Sequence, residues 1–201
     1  CSLAIRTPVG TIVNTGDWRF EDNPLDGKTA DKQRLKELGD EGVLMLMCDS
    51  TSCETPGRST PEMEIVETLD EIFIRNYNKR VIIAAFGSQI TRMQIVINAV
   101  AKSKRKLAVV GRSMQNNLEL AVKLGYVKVP AGLLIKANEV SKYDDGQIVV
   151  LSTGSQGENF SALQRMGTGE HRDVKLKPND VVVLSASIIP GNEKSVWGMV
   201  D

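Results

Sequence analysis

The segment RVIIAAFGSQITR, residues 80–92, fixes the class of fold that this chain can adopt. Its apolar run from Val81 to Phe86 is continuous rather than alternating, which is typical of a strand buried on both faces of a parallel sheet. The turn Gly87-Ser88 follows, and after it apolar residues recur at helical spacing: Ile90, Met93, Ile97 and Val100. The segment therefore predicts a buried strand, a tight turn and a helix, which is the repeating unit of an α/β protein.

The same pattern recurs along the chain. Other apolar runs read GVLMLMC (42–48), KLAVV (106–110), QIVVLST (147–153) and DVVVLSA (180–186). Segments with helical periodicity lie between them, at 61–75, 89–103 and 114–124. We predict strands at 43–48, 81–86, 107–110, 148–152 and 181–186, with the last four parallel in one sheet and joined by right-handed crossovers. Residues 126–146 resist this pattern, and we predict only a short strand at 133–136 within loops.

Composition excludes some classes of protein and leaves others open. The chain has 201 residues, of which 41% are hydrophobic, and its 25 basic and 25 acidic side chains cancel. No overall basic field points to nucleic acid, although a local patch can still bind phosphates. No apolar run approaches the roughly 20 residues that a membrane span needs. Because Cys1, Cys48 and Cys53 are odd in number and form no Cys-x-x-Cys pair, we interpret them as reduced thiols of a cytoplasmic protein.

The beginning of the sequence indicates a piece of something longer. It has no initiator methionine and enters directly on the strand-like SLAIRTPVGTIV (2–13), which we interpret as a hairpin with Pro8-Val9-Gly10 at its bend. The richest cluster of Ser, Thr, Pro and Gly is SCETPGRSTPE (52–62). Such clusters are typical of loops, so this one predicts the boundary between two domains.

Polar residues follow every predicted strand. They are Asp49-Ser50-Thr51, then Gly87, Ser88 and Arg92, then Arg112 and Ser113, then Thr153 to Glu158, and finally Asn192 and Lys194. Ligands of open α/β sheets bind outside the carboxyl ends of the strands. Two of these segments are Gly-Ser turns that we predict to open onto helices, whose free N–H groups suit a phosphate. The alternatives are that each serine only caps a helix and that each arginine pairs with a surface carboxylate.

Two titratable residues, Asp17 and His171, lie in polar stretches of the sequence. The β-rich run Thr11–Asn14 ends abruptly in Thr15-Gly16-Asp17, so Asp17 is either a turn residue or a metal ligand. The chain contains a single histidine, His171, which argues against a metal site built from its own residues. It lies in the polar stretch GTGEHRD (167–173), and we interpret it as a solvated loop residue.

A set of motifs in a fixed order resembles a known family. They are TPVGTIVNTGDWRFE (7–21), VLMLMCDST (43–51), PGRSTPE (56–62), IIAAFGSQITR (82–92), VVGRSM (109–114), VLSTGSQGE (150–158) and LSASIIPGNEK (184–194). Together they resemble bacterial ribonuclease J, a family of metallo-β-lactamase enzymes with an inserted β-CASP domain. The likeness runs the length of the chain but covers only the middle of such an enzyme.

The resemblance implies a metal and a role for two carboxylates. In the family the aspartate of the Thr-Gly-Asp turn bridges two zinc ions, and Asp17 occupies that place. Asp49 matches the acidic residue that opens the β-CASP signature motifs near the metals, so the implied catalytic residues are Asp17 and Asp49. The other metal ligands of the family lie before Cys1 and after Asp201. This chain by itself is therefore not expected to hold zinc.

The resemblance also implies an RNA-binding segment. The family usually reads Phe-Ala-Ser-Asn-Ile-His-Arg where this chain has Phe86-Gly-Ser-Gln-Ile-Thr-Arg92. Gly87, Gln89 and Thr91 depart from that pattern, so a contact from the usual histidine is lost. Asn14 replaces a histidine often found before Thr-Gly-Asp, which is not one of the usual ligands. The implied RNA- or phosphate-binding residues are Phe86, Gly87, Ser88, Gln89, Arg92, Gly154 and Ser155.

The resulting hypothesis is an RNA-processing, zinc-dependent endoribonuclease and 5′-to-3′ exoribonuclease of which this chain is a part that is inactive alone. Residues 1–57 would be the end of the first metallo-β-lactamase segment of an αββα domain. Residues 58–201 would be a β-CASP domain with a Rossmann-like parallel sheet. The implied partners are RNA with a 5′-monophosphate and further copies in a dimer or tetramer. The alternatives are a non-catalytic nucleic-acid-binding β-CASP module, and a nuclease acting on DNA or on messenger 3′ ends.

Overall fold

The structure, a computed structural model, describes residues 1–18, 20–25, 27–51 and 53–200. The chain divides into two units, Cys1–Glu64 and Ile65–Asp201, each with its own set of internal contacts. Both are built from strands and helices, so the predicted α/β class is confirmed. Among the described residues, no helix is both long and apolar enough to cross a membrane.

The first unit contains a small mixed sheet in the order β1-β2-β3. β1 (Leu3–Thr7) and β2 (Gly10–Asn14) form the predicted antiparallel hairpin. After helix α1 (Lys32–Glu41), strand β3 (Met45–Met47) pairs parallel to β2. The sheet therefore places the carboxyl ends of β2 and β3 side by side.

The burial predicted for the run 42–48 is wrong. β3 forms as a strand, but its apolar side chains face solvent on both sides. Their exposed fractions are 61% for Leu44, 54% for Met45, 61% for Leu46 and 51% for Met47. The physical reason is that burial needs a covering layer. The described residues of this unit supply no such layer over β3.

The second unit is built on a five-stranded sheet in the order β6-β5-β7-β4-β8. Its strands are β4 (Val81–Ala84), β5 (Lys106–Val110), β6 (Leu134–Ile135), β7 (Ile148–Ser152) and β8 (Val181–Leu184). Every neighbouring pair is parallel. This confirms the four strands predicted to share one parallel sheet, and the short strand within 126–146 forms its edge.

Helices connect these strands. α2 (Glu62–Arg75) precedes β4, α3 (Ile90–Lys102) follows it, α4 (Arg112–Lys123) follows β5, α5 (Ala162–Gly167) follows β7 and α6 (Glu193–Val200) follows β8. Short 3-10 turns cover Ala137–Lys142 and Asp145–Gln147. The helices α2, α3 and α4 lie where the periodicity predicted them.

The sheet is covered on two faces. On one face Ala162, Leu163 and Met166 of α5 pack in a cluster with alternate strand residues such as Ala108 and Val150. Helices α3 and α4 pack against each other and against β5. Val109, which points to the opposite side from Ala108, lines a cavity together with Leu118 and Val122 of α4. Helices α4 and α5 therefore lie on opposite faces of the sheet.

The order of the strands creates one crevice at the carboxyl edge of this sheet. From β5 the chain passes through α4 to its outer neighbour β6, whereas from β7 it passes through α5 in the other direction to β8. β5 and β7 are neighbours. Their following loops diverge to opposite faces, which is the arrangement in which open α/β sheets bind ligands.

Candidate functional site

The first candidate site lies in the loops that follow β2 and β3. The Thr15 N–H donates to the carbonyl oxygen of Met47 at 3.0 Å. In return, the Asp49 N–H donates to the Thr15 hydroxyl oxygen at 3.1 Å. These two hydrogen bonds extend the pairing of β2 and β3 by one residue and fasten their loops together.

The turn before Asp17 depends on Gly16. Its backbone has φ of +60°, in the left-handed region that favours glycine. The Gly16 N–H donates to the Asn14 side-chain oxygen at 2.8 Å. A Cβ at this position would also lie 3.2 Å from the Cys1 carbonyl oxygen. The turn leaves Asp17 exposed at the end of the strand.

Asp49 is held as a charged carboxylate. The Thr51 N–H donates to its Oδ1 at 2.9 Å. This backbone hydrogen bond, then one from the Thr51 hydroxyl and a weaker one from the Trp18 N–H, lower the pKa of Asp49. Because Trp18 directly follows Asp17, the two predicted carboxylates belong to one local structure.

The described residues do not form a complete metal site by themselves. They contain no group of three or more His, Cys, Asp or Glu side chains that could hold a metal ion. A structural or catalytic zinc site normally takes three or four protein ligands. Asp17 and Asp49 therefore fit part of a donor set.

The second candidate site begins with the turn after β4. The Phe86 carbonyl accepts from the Gln89 N–H at 3.2 Å, and the Ser88 carbonyl accepts from the Ile90 N–H at 3.0 Å. Gln89 is the N-cap of α3 and makes no side-chain capping bond. The alternative that Ser88 serves as the cap is wrong. Its side chain is exposed beside the first turn of α3.

Gly87 allows this turn to approach helix α4. A Cβ there would lie 3.3 Å from the Ser113 hydroxyl oxygen and 3.4 Å from the Met114 nitrogen. The Gly87 carbonyl also accepts a hydrogen bond from the Asn117 side-chain nitrogen at 2.6 Å. The departure from the usual alanine of the family therefore coincides with close packing of the turn.

Arg92 bonds to the protein itself. Its Nη1 donates to the Ser185 carbonyl oxygen at 2.9 Å and to the Ser185 hydroxyl oxygen at 2.5 Å. Ser185 immediately follows β8. The guanidinium therefore links the first turn of α3 to the carboxyl end of the neighbouring strand.

The turn at Gly154-Ser155 differs from the prediction. It does not open onto a helix, because α5 begins at Ala162 with Ser161 as its cap. Gly154 has φ of +116°, and a Cβ there would lie 2.6 Å from the Ser161 hydroxyl oxygen. Ser155 is only 1% exposed, and no partner for its hydroxyl is found in the described part of the chain.

Gln156 connects this segment to the loop after β8. Its side chain is buried, and its Nε2 donates to the Ser187 carbonyl at 2.8 Å. Its Oε1 accepts from the Ile189 N–H at 2.8 Å and from the Asn192 side chain at 3.3 Å. One buried amide thus holds the loop after β8 against the loop after β7, a role that no local sequence pattern reveals.

The prediction that His171 is solvated is wrong. His171 lies in a turn, but it is half-buried rather than solvated, and its Nδ1 accepts from the N–H groups of Asp173 and Val174, both at 3.2 Å. Burial, and then the nearby Arg165, lower the pKa of His171, while Asp173 acts in the opposite direction. It lines a cavity of about 680 Å³ at the β5–β7 crevice, together with Arg112, Ser113, Phe160 and Arg165.

The sequence is similar to proteins with established names. The family described as "Ribonuclease J, beta-CASP domain" matches residues 78–201. Proteins named Ribonuclease J are 46% identical over 200 residues in Helicobacter pylori, 42% over 200 in Mycobacterium tuberculosis and 41% over 199 in Corynebacterium glutamicum. This chain is covered by 99% or more in each alignment but spans only 29%, 36% and 28% of their respective lengths.

A solved structure also shares the fold. It is a protein of unknown function from Enterococcus faecalis, 16% identical, with a TM-score of 0.50 over 99% of this chain and 52% of the other. At that identity the likeness concerns the fold alone. The family match covers more than half of the present sequence. The chain therefore belongs to the ribonuclease J family, whose β-CASP domain corresponds to residues 78–201.

Proposed function

We propose that this chain is the central part of an RNA-processing hydrolase, a zinc-dependent endoribonuclease and 5′-to-3′ exoribonuclease. The observation that carries the proposal is the joined pair of loops after β2 and β3. There Thr15 bonds to both Met47 and Asp49, and the charged Asp49 accepts a hydrogen bond from the residue after Asp17. Membership of the ribonuclease J family supports the same reaction class.

In this proposal Asp17 would be a ligand of a two-zinc centre, together with histidines supplied by other parts of the enzyme. Such a pair of cations supplies a nucleophilic water at neutral pH and neutralises charge on the phosphodiester. The chain's own contribution is to present Asp17 on a rigid turn. Hydrogen bonds to Asp49 keep a second carboxylate ionised beside it. This chain alone would not retain zinc.

The proposed domain assignment is residues 1–57 for the end of a metallo-β-lactamase segment and 58–201 for the β-CASP domain. It accounts for the exposed apolar side chains of β3, because further layers of an αββα fold would cover them. Burying such side chains is worth about 1.5–3 kcal/mol each, so a covered β3 is strongly favoured.

The proposed substrate is RNA with a 5′-monophosphate end, in a cytoplasmic enzyme that assembles as a dimer or tetramer. The turn Phe86–Gln89, Arg92 and the buried Gly154-Ser155 loop would contribute to its binding surface. Support comes from the exposed Ser88 beside an uncapped helix start. A positive helix end and free N–H groups suit a phosphate.

Two other functions use the same fold. A β-CASP module without cleavage activity would bind nucleic acid through the carboxyl edge of the sheet alone. A nuclease of the same type could instead act on DNA or on messenger 3′ ends. The charged Asp49 beside the Asp17 turn favours catalysis over a module that only binds.

The test is a cleavage assay on the full-length protein that contains this chain. Single-stranded RNA with a 5′-monophosphate, the same RNA with a 5′-triphosphate, and DNA of the same sequence are compared with zinc and after chelation. We expect zinc-dependent release of mononucleotides from the monophosphorylated RNA, slower attack on the triphosphorylated RNA and little on DNA. Binding without any cleavage would contradict the proposal, as would a preference for DNA.

A metal measurement on residues 1–201 tests the incomplete donor set. After exhaustive dialysis we expect well under one zinc ion per chain, because one or two carboxylates fall short of a full site. One or more retained zinc ions would show that this chain holds ligands that the proposal does not include.

A further inference from the structure

The crevice between β5 and β7 is a cavity with a distinct chemical lining. Its volume is about 680 Å³, and it opens at the point where the loops after two neighbouring parallel strands diverge. Of the described residues that line it, two are arginines, Arg112 and Arg165, and one is a carboxylate, Asp173. The lining therefore carries a net positive charge although the whole chain carries none.

The two arginines come from opposite faces of the sheet. Arg112 begins α4 and Arg165 lies in α5. Within the described ranges, neither guanidinium group has a hydrogen bond or an ion pair, whereas the carboxylate of Asp173 lies 3.8 Å from the Nε of Arg172. Guanidinium groups without a protein partner are suited to bind a phosphate, which they can contact through two parallel hydrogen bonds.

His171 adds a donor of fixed orientation. Because Nδ1 accepts two backbone N–H groups, the neutral ring carries its proton on Nε2. The His171 N–H also donates to the Arg165 carbonyl at 2.8 Å, which joins the histidine turn to α5. The Ser113 hydroxyl offers a further polar group on the α4 side of the cavity.

Phe160 lies at the rim of this cavity, and its ring is exposed to solvent. It is 84% exposed, and its backbone adopts φ of +60°, a conformation that is unfavourable for a bulky residue. The Phe160 N–H donates to the Gln164 side chain at 2.6 Å, which holds that conformation. An exposed aromatic ring beside a cationic cavity is suited to stack on a nucleobase.

We propose that the β5–β7 crevice binds a nucleotide unit. Its phosphate lies between Arg112 and Arg165, with Ser113 and His171 as further donors, and its base stacks on Phe160. The unit is either one nucleotide of an RNA strand or a free nucleoside monophosphate. In the first case the inference rests on the proposed function, and it then adds a subsite within the second unit.

The experiment measures binding to the full-length protein after zinc chelation. The probes are a 3′-labelled decamer of adenylate with a 5′-hydroxyl, followed by fluorescence anisotropy, and adenosine 5′-monophosphate, followed by calorimetry. The variants are Arg165→Gln and Phe160→Leu. The control is Arg75→Gln, which removes the same charge from the last turn of α2, where the side chain is exposed and pairs with Glu71.

We expect Arg165→Gln to weaken binding of the decamer about five- to tenfold and to reduce the slope of log affinity against log salt by about 0.7. Phe160→Leu should weaken binding about five- to tenfold with an unchanged slope, because stacking releases no counterions. Arg75→Gln should change neither quantity. Circular dichroism of each variant verifies that the fold is kept.

Adenosine 5′-monophosphate separates the two sources of the nucleotide. If it binds, competes with the decamer and is weakened by both variants, the crevice takes free nucleotides. If only the decamer responds, the nucleotide belongs to RNA. If both variants bind both probes as Arg75→Gln does, the inference is overturned. Cleavage by the unmodified protein is assayed separately, so failure of the proposed function is recognised independently.

Discussion

Two apolar runs of similar sequence differ in how deeply they are buried. GVLMLMC (42–48) forms β3 at the edge of a small sheet, with side chains 51–61% exposed from Leu44 to Met47. RVIIAAF (80–86) forms β4 between two parallel neighbours, and Val81 to Ala84 are fully buried. Continuous apolar sequence predicts a strand in both cases. Burial depends on the layers that the rest of the polypeptide provides.

The charged residues show the same contrast. The ion pairs of the first unit are exposed, as between Arg34 and Glu37. In the second unit Arg80 and Asp180 form a buried pair at 2.5 Å, with side chains 4% and 3% exposed. A buried ion pair needs good geometry and further hydrogen bonds to offset the loss of hydration. Exposed ion pairs contribute little to the free energy of unfolding. The second unit therefore holds a buried ion pair in its packed interior, whereas the pair in the first unit lies at the surface.

The largest effect expected from this contrast is on activity. In the full-length protein, Asp17→Ala should lower RNA cleavage by about a thousandfold, because losing a bridging ligand removes several kcal/mol of transition-state stabilisation and each 1.4 kcal/mol is tenfold. The unfolding midpoint should change little, since Asp17 is exposed at a turn. Rates from single-turnover cleavage and a urea titration measure the two quantities.

The matched control is Asp40→Ala, which removes an exposed carboxylate from α1 that pairs with Lys36. It should cleave RNA at the unmodified rate. Normal turnover by Asp17→Ala would remove this aspartate from the mechanism, and the first unit would then have no demonstrated catalytic role.

The second prediction compares stability in the two sheets of residues 1–201. Ile82→Ala should cost about 2–5 kcal/mol of unfolding free energy, because it leaves a cavity in a closely packed core. Leu46→Ala in β3 should cost no more than about 0.5 kcal/mol, since that side chain is 61% exposed. Urea unfolding of both variants measures the difference. Equal costs would mean that β3 is covered in solution, as in a dimer of this chain.

The sequence predicted those elements whose signal is local. The strands at 81–84, 106–110, 148–152 and 181–184 each combine a continuous apolar run with a polar end, so both their positions and their parallel arrangement followed. It also led to Asp17 and Asp49, because these residues occur in short motifs that resemble a family.

The parts that could not be predicted depend on which side chains and backbone groups meet in the folded chain. Gln156 bonds to the loop after β8, and α5 begins only at Ala162, after the Ser161 cap. His171 becomes half-buried because backbone N–H groups and the Arg165 carbonyl surround it. None of these partners has a characteristic spacing in the sequence. The crevice itself arises from the strand order, which local patterns do not contain.

The third prediction concerns the two roles of Arg92, which are stabilising the fold and contacting an RNA phosphate. Arg92→Ala in the full-length protein removes hydrogen bonds to Ser185 and should cost about 1–3 kcal/mol of stability. If it also contacts a phosphate as proposed, RNA affinity should fall about three- to tenfold for all sequences alike, with a salt slope smaller by about 0.7.

Ser185→Ala separates these roles. It removes the hydroxyl partner of Arg92 but leaves the positive charge, so it should lower stability without changing the salt slope of RNA binding. If Arg92→Ala behaves like Ser185→Ala in both measurements, Arg92 is structural and the proposed phosphate contact is wrong.

The smallest effect concerns the titration of Asp49. The backbone N–H and hydroxyl of Thr51, followed by the Trp18 N–H, hold the pKa of this carboxyl below its ordinary value of about 4. A folded-state pKa below the unfolded one means that the charged carboxylate stabilises the fold at pH values above the unfolded pKa. That contribution is lost as the pH falls through the folded pKa. Carbon-13 NMR of the carboxyl group in residues 1–201 measures the midpoint directly.

Thr51→Ala is the variant that tests this cause. It removes the hydroxyl donor but keeps the N–H that donates to Oδ1 at 2.9 Å, so the Asp49 pKa should rise part of the way towards its ordinary value. The stability of Asp49→Asn should also depend less on pH than that of the unmodified chain as the pH falls below the ordinary carboxyl pKa of about 4. An Asp49 midpoint at or above its ordinary value would mean that the hydrogen bonds from Thr51 and Trp18 to this carboxyl are not formed in solution. The hydrogen bond from Trp18 that connects the Asp17 turn to Asp49 would then be absent.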